Sequence, residues 1–147
     1  MREELFEYCH TFCDSKLERI KGEIEKIRMA LTSETKSTAG DKHETGRAML
    51  QLEREKLGRQ LLEAEKMKQL MNRIPINSND QRIAAGSLVE TEKAKFFISI
   101  SAGKYQSEQG RVFCISASSP IGQLLLGKSR GDTIVFNGVE QRIVKVF

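Results

Sequence analysis

Asp41 and Glu44 are the residues best placed by type and spacing to do chemistry. They stand three apart in Gly40-Asp41-Lys42-His43-Glu44-Thr45-Gly46, and at the start of a helix that spacing puts both carboxylates on one face. Two readings of the pair stay open. Asp-x-x-Glu is a capping box, in which both side chains satisfy amides left free at a helix start. The same acids, at a turn between two helices, are also a candidate functional tip. His43 reads as an exposed polar residue, with water activation as its alternative. Cys9-His10-x-x-Cys13 sets two thiols about one helical turn apart, but a zinc site takes four ligands and no second cluster supplies them. Cys114 reads as a core residue in a strand. No Ser-His-Asp, Cys-His or phosphate-loop pattern occurs in the sequence.

The elements that must position the acids are two long helices. Ser37–Gly46 is the long break in hydrophobic periodicity between residues 5 and 74. Before it, apolar residues recur at Phe6, Cys13, Leu17, Ile20, Ile24, Ile27 and Leu31. Their later spacings alternate three and four, which is the seam of a coiled coil. Glu3 and Glu4 suit the positive end of the helix dipole. The helix is expected to fade after Leu31, where Ser and Thr replace good helix formers. A second helix restarts near Asp41 and runs to about Ile74, with Leu50, Leu57, Leu61, Ala64, Met67, Met71 and Ile74 on the returning seam. Met49, Met67 and Met71 read as seam packing. Pro75 ends this helix, and residues 76–80 read as a linker. Residues 1–75 are thus expected to form an antiparallel coiled-coil hairpin with an acidic tip near 37–46.

Beyond the linker the period changes to two. Leu88-Val89, Phe96–Ile100, Val112–Ile115, Asp132–Phe136 and Gln141–Val146 read as strands. Asn137-Gly138 is a strong two-residue hairpin signal. Ser119-Pro120-Ile121-Gly122 opens a short helix that closes at Gly127, with Ser as cap and Pro in the first turn. Residues 81–147 are therefore expected to be a small, mostly antiparallel sheet carrying one helix. The fold class is α+β.

Composition narrows the functions. Of 147 residues, 30% are charged and 6% aromatic, with no Trp, a mix that favours solvated helices over a large aromatic core. The net charge of +4 comes from 24 basic and 20 acidic residues, so the chain is no polybasic DNA clamp. Aromatics are not interleaved with basic residues, which leaves at most a weak DNA or RNA contact. An odd count of three cysteines points to a reducing, cytoplasmic setting. No apolar run approaches the roughly 18 residues that span a bilayer, so no membrane partner is expected.

In its order of elements and in several motifs the chain resembles the Gre family of bacterial transcript cleavage factors. Ser119-Pro120-Ile121-Gly122, Leu125-Leu126-Gly127-Lys128 and Gly131-Asp132-Thr133-Ile134 match a C-terminal block of that family. Gly86-Ser87-Leu88-Val89 matches its first strand, and Gly40-Asp41-Lys42-His43-Glu44 matches its Gly-Asp-x-x-Glu tip. The resemblance implies an FKBP-like C-terminal domain. It implies a transcription elongation factor that binds RNA polymerase beside the secondary channel, docking through the domain that holds Ser119, Pro120, Ile121 and Gly122. Asp41 and Glu44 would share a Mg²⁺ with the polymerase, near the RNA 3′ end, and backtracked RNA would be cleaved at the polymerase's own centre. The isolated chain, a monomer in this reading, would bind Mg²⁺ poorly and catalyse nothing.

The tip departs from the family pattern at Lys42, where Leu is usual. It departs again at Thr45-Gly46-Arg47-Ala48, where Asn-Ala-Glu-Tyr is usual. Lys42 and Arg47 add positive charge beside the acids, either to contact phosphate or RNA or to displace the metal. A channel regulator that binds polymerase without cleavage is the alternative. An FKBP-like isomerase or chaperone is a more distant one, because the aromatic-walled pocket of such enzymes has little to build it here: the domain contains no Trp and Tyr105 as its tyrosine.

Overall fold

The computed structural model describes residues 1–36, 40–76 and 80–147; the side chains of 34–36 and 40–44 also lie outside the description. Helix α1 spans Arg2–Lys36 and helix α2 spans Gly40–Arg73. The chain divides into two compact units. One is Cys13–Lys68, and the other joins Met1–Phe12 to Gln69–Phe147.

In the unit Cys13–Lys68 the two helices run antiparallel around the expected seam. Ile20, Ile27, Leu57 and Ala64 are buried together, with Leu17, Ile24, Leu31, Leu50 and Leu61 packed against them. Direction follows from the cross-links. Lys68 Nζ is 2.9 Å from an Asp14 carboxylate oxygen at one end, and Arg47 Nη1 donates to the Leu31 carbonyl at 3.4 Å toward the other. A strict three–four spacing buries a narrow stripe, so most of each helix stays solvated. Met49 departs from the expectation: it is 66% exposed and lies outside the seam. Helix α1 also persists past Leu31 to Lys36. Thr32 is accommodated in it by bonding its Oγ1 back to the Arg28 carbonyl at 3.0 Å, an arrangement that a hydroxyl can adopt within a helix.

The other unit is built on a six-stranded sheet. Its strands are β1 (Leu88–Thr91), β2 (Lys95–Ser99), β3 (Gly103–Ser107), β4 (Gly110–Ser116), β5 (Thr133–Phe136) and β6 (Val139–Val146), with helix α3 (Pro120–Leu125) between β4 and β5. Their order is β3-β4-β2-β1-β6-β5. The sheet is mostly antiparallel, as expected, but β2 and β4 pair in parallel. Strand β3 occupies the outer edge, and β4 turns back between it and β2. β3 has no counterpart in the sequence reading. Gly103-Lys104-Tyr105-Gln106-Ser107 lacks apolar alternation because an edge strand with much of its surface in water does not need it.

Both faces of the sheet are covered, which explains the unbroken apolar run Phe96-Phe97-Ile98. On one face Ile83, Val89, Phe96, Ile98, Ile134 and Ile143 pack with Ile121 and Leu125 of α3. On the other the first turns of α1 lie across the strands. Phe6 meets Phe97 edge-on, with ring centroids 5.1 Å apart. Tyr8 Oη donates to the Ala102 carbonyl at 2.8 Å, and Tyr105 Oη donates to the Glu4 carboxylate at 3.0 Å. The β5–β6 turn has Asn137 at φ 50° and Gly138 at φ 78°, the paired positive values a two-residue hairpin turn demands.

Candidate functional site

Helix α2 opens at Gly40, so positions 41 and 44 fall in its first turn. The side chains of Asp41, Lys42, His43 and Glu44 lie outside the described residues, and their geometry is not part of the description. Arg47 is described. It is half-buried, and its guanidinium reaches across to the Leu31 carbonyl of α1, which ties the start of α2 to the end of α1. Among the described residues no group of three or more His, Cys, Asp or Glu converges as a metal site. Cys9, His10 and Cys13 accordingly make no such cluster, and Cys114 is a core residue, 3% exposed.

The second group of expected residues, Ser119, Pro120, Ile121 and Gly122, has a well-defined local geometry. Ser119 is the N-cap of α3, with its Oγ accepting from Gly122 N at 3.1 Å and donating to the Ser116 carbonyl at 2.7 Å. Pro120 is exposed at the first helical position, where its missing N–H goes unneeded. Ile121 enters the core beneath the sheet. Gly122 is buried so tightly that a Cβ would stand 2.3 Å from Ser116 O. The downstream Gly131-Asp132 pair builds a turn: Asp132 Oδ2 accepts from Ser129 N at 2.8 Å, and Gly131 N donates to the Ile143 carbonyl at 2.8 Å. The C-terminal motifs thus hold the fold together at α3 and at the entry to β5. Of these residues Pro120, followed one turn later by Leu124 at 37% exposure, offers apolar surface.

A cleft of about 550 Å³ on the helical hairpin is lined by Lys16, Arg19, Lys56, Arg59, Gln60 and Glu63. Four of its six lining side chains are basic, and no motif in the sequence marks them as a group. Only the antiparallel pairing brings the 16–19 and 56–63 segments side by side. No helix of the described residues is long and apolar enough to cross a membrane.

No family model matches the chain, and no curated protein matches it. Among solved structures the chain is similar to that of the transcription factor Gfh1. The alignment covers 89% of this chain and 92% of that one, at 22% identity and a TM-score of 0.35.

Proposed function

We propose that the chain is a transcription elongation factor that binds RNA polymerase at the secondary channel and stimulates Mg²⁺-dependent cleavage of backtracked RNA by the polymerase active site. The observation that supports this most is the start of α2 at Gly40, which sets the Gly-Asp-x-x-Glu motif in the first turn of the second of two antiparallel helices. In the resemblance to the Gre family this motif carries the two acids at the tip of a helical hairpin. Asp41 and Glu44 would supply carboxylate oxygens to a Mg²⁺ otherwise held by the polymerase, a hard cation that takes such ligands while keeping several waters. A second divalent ion supplies charge stabilisation and a hydroxide in hydrolysis of this kind. The chain itself would be a cofactor of the polymerase. Docking of the sheet unit, FKBP-like in this reading, would use the exposed Pro120 and its neighbours at α3.

A second reading keeps the binding site and drops the chemistry. It is favoured by Arg47, one turn beyond Glu44 and bonded to α1, and by Lys42 between the acids. Positive charge this near to two carboxylates in sequence would compete with a metal for them. In this reading the protein modulates polymerase from the same channel without cleaving RNA.

Binding is tested with the full chain and a bacterial RNA polymerase core enzyme, by comigration on a sizing column. Both readings expect a complex that a known secondary-channel factor displaces. Failure to comigrate, or comigration that such a factor does not disturb, would overturn both.

A further inference from the structure

Two of the three cysteines, far apart in sequence, are buried together in the sheet unit, on the face that α1 covers. Cys9, in α1, is fully buried, and Cys114, in β4, is 3% exposed. Cys114 stands opposite Phe97 in the β2–β4 pairing, on the sheet face that Phe6 covers. Ser99 lies two residues along β2 on that same face, and its Oγ is 3.5 Å from the Cys9 sulfur. Ala102 N donates to the Cys114 carbonyl at 3.3 Å, and the Ala102 carbonyl accepts from Tyr8 Oη. Cys9 and Cys114 are thus both buried on this face of the sheet, with Ser99 against the Cys9 sulfur and Tyr8 bonded to the neighbouring Ala102.

The two thiols are unequal. A hydrogen bond with Cys114 pulls the Cys9 thiol below its ordinary value, against burial and with help from Ser99. The same bond, then burial and the charge of Cys9, push Cys114 far up, so it keeps its proton. The directions of the two shifts favour Cys9 over Cys114 as the sulfur that attacks first.

We propose that Cys9 and Cys114 are an oxidisable pair that closes to an intramolecular disulfide when the protein meets a peroxide. Cys9, after giving its proton to solvent, attacks one peroxide oxygen as the thiolate and the O–O bond breaks. This leaves a sulfenic acid on Cys9 and releases the other oxygen as hydroxide, which takes up that proton to become water. The Cys114 sulfur then attacks the Cys9 sulfur. The S–O bond breaks, and the departing hydroxide leaves as a second water with the Cys114 proton. Two thiols lose two electrons and two protons, and hydrogen peroxide is reduced to two waters. The new bond fastens the first turns of α1 to strand β4 and closes a long loop, which constrains the unfolded chain. Burial of both sulfurs makes the reaction wait on opening of those turns, so it runs slower than oxidation of an exposed thiol.

The test is a disulfide map of the reduced full chain after dilute hydrogen peroxide, alkylation and digestion. The expected product is the Cys9 peptide joined to the Cys114 peptide, with Cys13 alkylated and the thermal midpoint raised. Cys13→Ser retains the link. In denaturant the pairing moves to Cys9 and Cys13, neighbours along the chain. Three alkylated thiols from the native wild type, or Cys9 joined to Cys13 or to a second molecule, would overturn the proposal whatever the variants do. So would the Cys9–Cys114 link forming equally well in denaturant.

Discussion

Gly122 lies against the backbone of Ser116, where a Cβ on the glycine would stand 2.3 Å from the Ser116 carbonyl oxygen. Backbone cannot swing aside as the end of a flexible side chain can, so Gly122 is fixed by close approach. Gly122→Ala is expected to destabilise the sheet unit by about 3 kcal/mol, read from the urea midpoint. A midpoint unchanged from wild type would show that α3 shifts freely on the sheet.

Ser119 closes the same corner from the other side, accepting from Gly122 N and donating to the Ser116 carbonyl. Loss of a cap of this kind costs about 1 kcal/mol. Ser119→Ala is expected to lower stability by roughly that amount, and Ser119→Asp to recover much of it. Equal losses in the two variants would assign the effect to the bond with Ser116, which Asp cannot donate.

Along the hairpin, burial separates residues that sequence alone makes look alike. Leu57 is 2% exposed within the seam and Met49 is 66% exposed outside it. Leu57→Ala is expected to cost about 2–5 kcal/mol, seen as lost helicity by circular dichroism at lower urea. Met49→Ala should stay within about 0.5 kcal/mol of wild type. A reversal of the two would mean that the helices pair in another register.

Glu25 accepts from Arg28 Nε at 3.0 Å on each carboxylate oxygen and from Nη2 at 2.6 Å. That hydrogen bonding, opposed by desolvation and assisted by the guanidinium charge, holds the Glu25 carboxyl below its ordinary value. The folded value is depressed, so any stabilisation is present above the ordinary carboxylate range and is lost as pH falls through the folded value. Carboxyl NMR titration of Arg28→Ala is expected to move Glu25 back up. Both groups are solvent-exposed, so added salt should narrow the difference.

Much of this architecture could be read from periodicity and punctuation. The three–four seam located both helices, Pro75 marked the end of α2 within two residues, and Asn137-Gly138 announced its turn. Ser119 and Pro120 announced α3 because capping is a local matter settled within one turn of chain. What stayed hidden depends on tertiary neighbours. β3 is an edge strand with no apolar pattern, and the parallel β2–β4 pairing is set by where β3 lies. Met49 has the composition of a seam residue but not its angular position. Cys9 and Cys114 carry no shared signal in the sequence, since only the packing of α1 on the sheet brings them together.

The measurement that bears most directly on function uses a stalled, backtracked elongation complex with its RNA labelled at the 3′ end. The full chain is added with Mg²⁺, beside the double variant Asp41→Asn, Glu44→Gln. The proposed function predicts release of short 3′ fragments by the wild type, loss of that release in the variant, and polymerase binding by both. Cleavage that persists in the variant, or wild-type protein that binds the complex and releases nothing, would contradict a cleavage role for the two acids.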